Sequence, residues 1–230
     1  MSGPSERAAS LEAGYTRTHR AYEWAGIAFA GWCLYGAGLQ LVELDDVHAG
    51  HWTGAILLAL AFADLVSGIA HWAFDTWGDL DTPIVGKLAI RTFRHHHVDP
   101  KAITRHDFVE TNGHNAMLSI VLSAPVAHAA DAMPSFLALF LGFAALFVAT
   151  TSQLHKWAHM DRPPAIVRVL QKVGLVLGPE AHAVHHTAPH EGAYCVTTGW
   201  MNLLLDRSRF FRVAERIITK VTGAVPRASE

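Results

Sequence analysis

The sequence predicts an all-α integral membrane protein, built as a four-helix bundle with a helical cap on its cytosolic side. Hydrophobic residues make up 51% of the 230-residue chain and charged residues only 17%. Apolar runs of membrane-spanning length alternate along the chain with polar segments. A disordered chain needs low hydrophobicity and a high net charge, so this composition excludes one.

Charge and cysteine content argue against a nucleic-acid-binding protein and against a disulfide-rich protein. The formal net charge is −2, which gives no basic footprint for nucleic acid, and we expect no nucleic-acid partner. The two cysteines, Cys33 and Cys195, are too few for a disulfide framework.

Four apolar runs are candidate membrane spans, since about 20 apolar residues are needed to cross a bilayer. Residues 22–41, 52–74 and 134–154 have this length and almost no charge. The fourth run, 116–130, contains Pro125 and His128 and crosses only if it extends to about residues 112 and 133. We expect residues 1–20 to be a disordered tail, 21–222 the membrane domain and 223–230 a second tail.

The distribution of cations predicts the orientation. All eighteen lysines and arginines fall within residues 1–20, 75–115 and 155–230, and the turns at 42–51 and near Asp131 have none. The positive-inside rule then predicts four spans with both termini on the cytoplasmic side. A soluble helical bundle with basic loops is the alternative, but it would not place every cation on one side.

Sixteen histidines are the most unusual feature of the composition. The second span ends with Asp64, Gly68, His71 and Asp75 on one helical face. Such an ionisable stripe is costly in lipid and should face the bundle interior. We favour a metal-binding role for the stripe, and an intramembrane Asp paired with a neighbour is the alternative.

Two further histidine groups have helical spacing. His155 and His159 are four residues apart, which places both rings on one face. His182, His185 and His186 combine spacings of three and four, and this is the most specific signal in the chain. An exposed His-rich helix is the alternative for this group.

The remaining group is the run from His95 to His97, which lies at a helix end because Pro100 disfavours helix at Asp99. Three adjacent rings do not share one face, so we expect at most two of them to act together, although a solvated loop is equally compatible. Eight histidines are thus candidate ligands: His71, His96, His97, His155, His159, His182, His185 and His186.

Eight ligands exceed the four of a structural zinc and suggest two metal ions in one site, carried by the cap. Imidazole suits zinc, copper, iron and nickel alike, so the ligand type does not choose the metal. Asp75 and Asp99 are candidates for orienting the ligand rings, or are plain loop charges. We predict no catalytic residue beyond the metal ligands.

A metal site at the membrane boundary suits oxidation of a lipid chain. No side chain can remove hydrogen from an unactivated C–H bond, so a metal and O₂ must do so. At the inner interface, such a site reaches both a substrate dissolved in the bilayer and a cytosolic electron donor. A metal transporter is the competing class, but transporters place polar groups near the bilayer midplane.

Four stretches of the sequence resemble the Kua-type lipid desaturase family. They are DLVSGIAHWAFDTWGD (64–79), PIVGKLAIRTFRHHHVDPKAITRHDFVETNGHN (83–115), QLHKWAHM (153–160) and HAVHHTAPHEGAYCVTTGWMN (182–202). The resemblance implies the eight ligands above, with His106 and His190 as further ligands or as supporting residues. His95 stands where relatives usually have an acidic residue, and His114 where Asp is common, so we do not expect these two to bind metal.

The resemblance also implies the reaction. It indicates a membrane oxidoreductase with two iron ions and O₂ as co-substrate, which forms the vinyl ether bond of plasmalogens from plasmanylethanolamine. A cytochrome b5-like or ferredoxin-type protein would donate the electrons. Desaturation of a phospholipid acyl chain, as in plant relatives, is the alternative within the family.

Overall fold

The computed structural model describes residues 4–83 and 85–227, and the regular structure of these residues is helical. The α-helices are α1 (Pro4–Glu12), α2 (Arg17–Val42), α3 (Ala49–Thr76), α4 (Arg91–Val98), α5 (Ala102–Arg105), α6 (Phe108–Ala129), α7 (Ser135–His159), α8 (Ala165–Lys172), α9 (Pro179–His185), α10 (Trp200–Arg207) and α11 (Phe210–Thr222). A π-helix, Gly86–Ile90, precedes α4, and a short 3-10 helix, Ala130–Ala132, follows α6. The prediction of an all-α fold is confirmed.

Three helices are long and apolar enough to cross a membrane: α2, α3 and α7. They contain the predicted runs 22–41 and 52–74, and all of the run 134–154 except Pro134, which precedes the first residue of α7. The weaker run, 116–130, forms the later part of α6 and the first residue of the 3-10 helix, and α6 begins eight residues earlier at Phe108. Glu110, Asn112 and His114 give the first half of α6 a polar character, which explains why the sequence pattern does not show the start of this helix.

The four long helices pack side by side in the order α2, α6, α7 and α3. Small residues allow the close approaches. A Cβ atom on Gly26 of α2 would lie 2.3 Å from Met117 Cγ on α6, and one on Gly142 of α7 would lie 2.6 Å from Leu41 Cδ1. A buried cluster that includes Leu41, Val126 and Leu139 fills one end of the assembly.

The segment that we expect to be a disordered tail, 1–20, contains helical structure in the part that the structure describes. Residues 4–12 form α1, and Thr16 caps the start of α2 by accepting a hydrogen bond from the His19 amide. The buried Arg91 side chain donates to the Leu11 carbonyl at 2.9 Å and lies over the Tyr15 ring. This tertiary contact fixes a segment whose own sequence lacks apolar periodicity. Residues 1–3 lie outside the described residues.

The predicted second tail, 223–230, follows the end of α11 at Thr222. Its described part, 223–227, is not helical, and the Arg227 amide donates to the Thr76 carbonyl at 2.8 Å. Residues 228–230 lie outside the described residues.

The three cation-bearing segments meet at one end of the long helices. Arg20 pairs with Asp107 and Lys101 pairs with Asp161, each at 2.5 Å. The Lys156 ammonium donates to the His106 carbonyl at 2.5 Å. These contacts place the N-terminal end of α2, the segment around Lys101 to Asp107 and the segment that follows α7 on the same side of the helices.

Asp64 anchors the segment that follows α9 to α3. Its Oδ1 accepts hydrogen bonds from the amides of Thr197, Thr198 and Gly199 at 2.8–3.1 Å, and its Oδ2 accepts one from Met201 at 2.9 Å. The buried carboxylate thus caps the start of α10. We interpreted the stripe from Asp64 to Asp75 as metal-binding, but Asp64 has this structural role instead.

Gly68 permits the same segment to lie directly on α3. A Cβ atom at this position would be 2.4 Å from Cys195 Sγ and 3.4 Å from its backbone nitrogen. This close approach brings the backbone of residues 194–196 beside His71, which lies one turn further along α3.

Candidate metal centre

Five histidines direct their Nε2 atoms at a common point at the cation-rich end of the helices. His155 and His159 come from the last turns of α7, His96 from α4 and His182 from α9, and His186 follows α9. Their spacings of four residues on α7 and around α9 place each pair on one helical face. These residues make up the five-histidine group.

The distances within the five-histidine group suit ligands of one ion. The Nε2 atom of His182 lies 2.8 Å from that of His155, 2.7 Å from that of His159 and 3.1 Å from that of His186. His96 Nε2 lies 3.1 Å from His159 Nε2 and 2.9 Å from His186 Nε2. Nitrogens bound about 2.1 Å from one ion lie roughly 3.0–3.4 Å apart, so the closest of these atoms would move apart by a few tenths of an ångström when an ion binds.

A second group contains three histidines and a carboxylate: His71 and Asp75 on α3, His97 on α4 and His185 on α9. Asp75 Oδ2 lies 3.0 Å from His97 Nε2, 3.4 Å from His71 Nε2 and 3.5 Å from His185 Nε2. We call these residues the aspartate group.

The two groups are adjacent and share two helices. The neighbours His96 and His97 on α4 belong to different groups, as do His185 and His186 at the end of α9. The His71 and His155 ring centroids, one from each group, are 5.9 Å apart. The two groups therefore form one centre with room for two ions side by side.

Backbone carbonyls orient two rings of the aspartate group. The Nδ1 atom of His71 donates to the Tyr194 carbonyl at 3.1 Å, and that of His185 to the Gly192 carbonyl at 2.9 Å. Because Nδ1 carries the proton in this arrangement, Nε2 keeps its lone pair and points into the centre. The segment that Asp64 anchors supplies the Tyr194 carbonyl.

Burial favours the neutral form of three histidines in the five-histidine group, His96, His182 and His186. It lowers the pKa of His96 well below the ordinary value, with a further lowering from neighbouring histidines. Burial also lowers the pKa of His182, and it lowers the pKa of His186 to about 3. A neutral imidazole has the free lone pair that metal binding requires.

The donor set fits metal ions. The buried Nε2 atom of His71, which faces Asp75 Oδ2, has no hydrogen-bond partner within the described residues. The other carboxylate oxygen of Asp75, Oδ1, is also buried without a partner among these residues. Two neutral imidazoles can share one proton, but five converging Nε2 atoms cannot all be satisfied in this way. A cation at each group would satisfy them together.

The structure places all eight candidate ligands, and Asp75, within the two groups. The other candidates lie outside them. Asp99 pairs with Arg105 at 2.5 Å, and His106 Nε2 lies 3.5 Å from Glu110 Oε1. His190 is close, because its Nδ1 donates to the His185 carbonyl at 2.9 Å and its ring centroid is 5.3 Å from that of His97.

His95 and His114, which we did not expect to bind metal, also lie outside the two groups. His114 Nδ1 is 3.4 Å from the buried Glu23, which accepts a hydrogen bond from Tyr15 at 2.5 Å. Sequence analysis missed this polar cluster between α2 and α6, although Glu23 is the only charge in the first apolar run.

The fold and the centre define a class: an all-helical protein with candidate membrane helices and a histidine-rich site suited to metal ions. The comparisons with known proteins define the family. The model of the lipid desaturase domain matches residues 60–229, and the chain belongs to this family. The chain is therefore a desaturase, an oxidoreductase of lipid metabolism, and the resemblance found in its motifs is confirmed.

Relatives align over most of the chain. It is 46% identical to a plasmanylethanolamine desaturase of Myxococcus xanthus, over 96% of this chain and 79% of the relative. It is 39% identical to plasmanylethanolamine desaturase 1 of Mus musculus, over 89% and 82% of the two chains. It is 35% identical to the chloroplastic fatty acid desaturase 4 of Arabidopsis thaliana, over 93% and 65%. No solved structure matches the chain.

Proposed function

We propose that this chain is an O₂-dependent di-iron desaturase that converts plasmanylethanolamine into the vinyl ether of a plasmalogen. The observation that carries the proposal is the pair of adjacent histidine groups at one end of the membrane helices. The bacterial and mouse relatives, both named for plasmanylethanolamine, support this substrate over an acyl chain, because the chain is less similar to the plant relative named for fatty acids.

The proposed reaction balances when an electron donor supplies two electrons. The alkyl ether chain loses two hydrogen atoms, one from each of its first two carbons counted from the ether oxygen, and a double bond forms between these carbons. O₂ takes up these two hydrogens, two electrons from the donor and two protons from water, and leaves as two water molecules. Iron held by the five-histidine and aspartate groups would supply, with O₂, the oxidising power that no side chain provides.

The protein's own residues prepare the centre for this chemistry. Eight histidine rings hold their Nε2 atoms toward two points, and the carbonyls of Tyr194 and Gly192 fix two of the rings. His71, His96, His182 and His185 are buried, so packing limits the access of water to the centre. A dry, preorganised site protects a reactive oxidant from side reactions.

The proposed topology has four spans, with α6 as the fourth. At about 1.5 Å per residue, its 22 residues reach about 33 Å, enough for a hydrocarbon core of about 30 Å. The cation-rich end would lie on the cytoplasmic side. Several apolar side chains on α8 and α11 are exposed, which supports contact of this cap with the membrane surface: Ile166, Val169, Val213, Ile217 and Val221.

An acidic electron carrier would suit this end of the molecule. The segments gathered there hold all the lysines and arginines of the chain, and a basic surface speeds the encounter with an acidic partner. We propose a cytochrome b5-like or ferredoxin-type donor on this surface.

Lipid analysis of a complemented strain tests the proposal. Cells that contain plasmanylethanolamine but no vinyl ethers should form plasmalogens when they express the wild-type chain under O₂, and form none with His185→Ala. The control is His128→Ala, an exposed histidine on α6, and it should behave like the wild type. A new double bond in an acyl chain, with no vinyl ether, would contradict the proposed substrate and favour the acyl-chain alternative.

A further inference from the structure

A cavity of about 260 Å³ lies between α3, α6, α7 and the segment that contains α4 and α5. This volume is slightly below that of the smallest typical ligand pockets, which is about 300 Å³. His96 and His155, both of the five-histidine group, form part of its wall. The cavity therefore leads directly to one half of the metal centre.

The character of the wall changes along the cavity. Ala70 of α3, Leu118 of α6 and Ser152 of α7 line the part nearest the middle of the long helices. His106 and Glu110 line the opposite part, at the cation-rich end. Leu118 is 46% exposed on α6, so this deeper part meets the lipid-facing surface.

We propose that this cavity binds the alkyl chain of the substrate lipid, with the reacting carbons beside His96 and His155 and the rest of the chain directed toward Ala70 and Leu118. The reacting carbons lie next to the ether oxygen, so the glycerol part of the lipid must also be near the centre. The polar wall at His106 and Glu110 can accept it. The identification of the lipid as an alkyl ether rests on the proposed function.

A second cavity near the centre has the opposite character. It has a volume of about 160 Å³, it reaches Asp75 and His97 of the aspartate group, and charged residues line it, among them Glu191, Arg212 and Glu215. An apolar chain would leave these charges desolvated at a high cost. The alkyl chain is thus assigned to the first cavity, and the charged cavity suits water and protons.

Substitutions at the deep end test the assignment through chain length. Ala70→Phe fills this end, so the variant should lose most activity on long alkyl chains while it keeps activity on shorter ones. Leu118→Ala removes bulk where the same end meets the lipid-facing surface, so this variant should keep its activity on long alkyl chains. Ala28→Phe adds the same side chain at an exposed position of α2, away from the cavity, and should keep the wild-type profile.

Photolabelling provides a measurement that does not depend on turnover. The probe is an ether phospholipid with a diazirine at the far end of its alkyl chain, added to the purified full-length protein in lipid nanodiscs. We expect labelled peptides around residue 118, with labelling reduced severalfold in Ala70→Phe but not in Ala28→Phe. Labelling near Trp32, which is exposed on α2, reports contact with bulk lipid and should not change.

The outcomes separate this inference from the proposed function. An active wild type combined with an unchanged chain-length profile and unchanged labelling in Ala70→Phe would overturn the cavity assignment alone. Site-specific labelling of the cavity by a wild type that forms only acyl double bonds would overturn the proposed ether substrate, while chain binding in the cavity would stand. Metal content equal to that of the wild type shows that Ala70→Phe is folded.

Discussion

The Nε2 atoms of His159 on α7 and His182 on α9 lie 2.7 Å apart, although 22 residues separate them in the sequence. His182 is the most central member of the five-histidine group, since its Nε2 is within 3.1 Å of three other Nε2 atoms. A cation between these nitrogens explains their convergence better than shared protons do.

Removal of this central ring should empty the five-histidine group. We expect His182→Ala to reduce bound metal from two ions per chain to one or fewer, and to abolish desaturation. Elemental analysis of the purified protein measures the metal content. The control is His128→Ala, at the end of α6 that lies away from the centre, and it should retain both ions. An unchanged metal content in His182→Ala would show that the five-histidine group does not bind metal.

Asp75 should control the other ion selectively. Its Oδ2 lies within 3.5 Å of three Nε2 atoms, and Asp75→Asn replaces the carboxylate with a neutral amide. We expect affinity for the second ion to fall roughly 10–100-fold, the range seen for residues that tune metal ligands, while the first ion stays bound. Titration of the metal-free protein measures both affinities, and an equal loss at both groups would contradict their separate roles.

Asp64 should affect stability rather than metal chemistry directly. In Asp64→Asn, a side-chain NH₂ group replaces one carboxylate oxygen. This group cannot accept the hydrogen bond from a backbone N–H such as that of Met201, so that buried N–H loses its partner. We expect a loss of about 1–3 kcal/mol in the free energy of unfolding. Thermal unfolding in detergent measures it, and Glu180→Gln, an exposed carboxylate of α9, should have little effect. Wild-type stability in Asp64→Asn would show that these hydrogen bonds do not hold α10 in place.

His106 should contribute to a loss of stability of the metal-free protein in acid. Burial, then His95 and Lys156, lower its pKa from 6.5 to about 4, although Glu110 faces the ring. Between pH 6.5 and 4 the unfolded chain therefore binds more protons than the folded one, and stability falls as the pH falls. His106→Gln should flatten this part of the melting-temperature profile, and an unchanged slope would assign the acid sensitivity to other groups.

The sequence predicted the long apolar elements well. Runs of apolar residues as long as a bilayer core leave few alternatives to a helix, and α2, α3 and α7 lie where the runs are. The start of α6 and the whole of α1 were missed. Both depend on tertiary contacts, such as that of Arg91 with Leu11, which polar local sequence does not reveal.

For the metal centre, helical spacing predicted which rings share a helical face, but not how the rings divide between the five-histidine group and the aspartate group. His182, His185 and His186 have spacings that suit one ion, yet His185 belongs with Asp75, because the division depends on how α9 lies against α3 and α4. The carbonyls that orient His71 and His185 belong to the backbone, and no residue type marks them.

Metal analysis of the purified enzyme, combined with Mössbauer spectroscopy, determines whether the two histidine groups hold a pair of iron ions. We expect two iron ions per chain with nitrogen-rich coordination, close enough to couple magnetically. An active enzyme that contains only one iron, or zinc alone, would contradict this expectation.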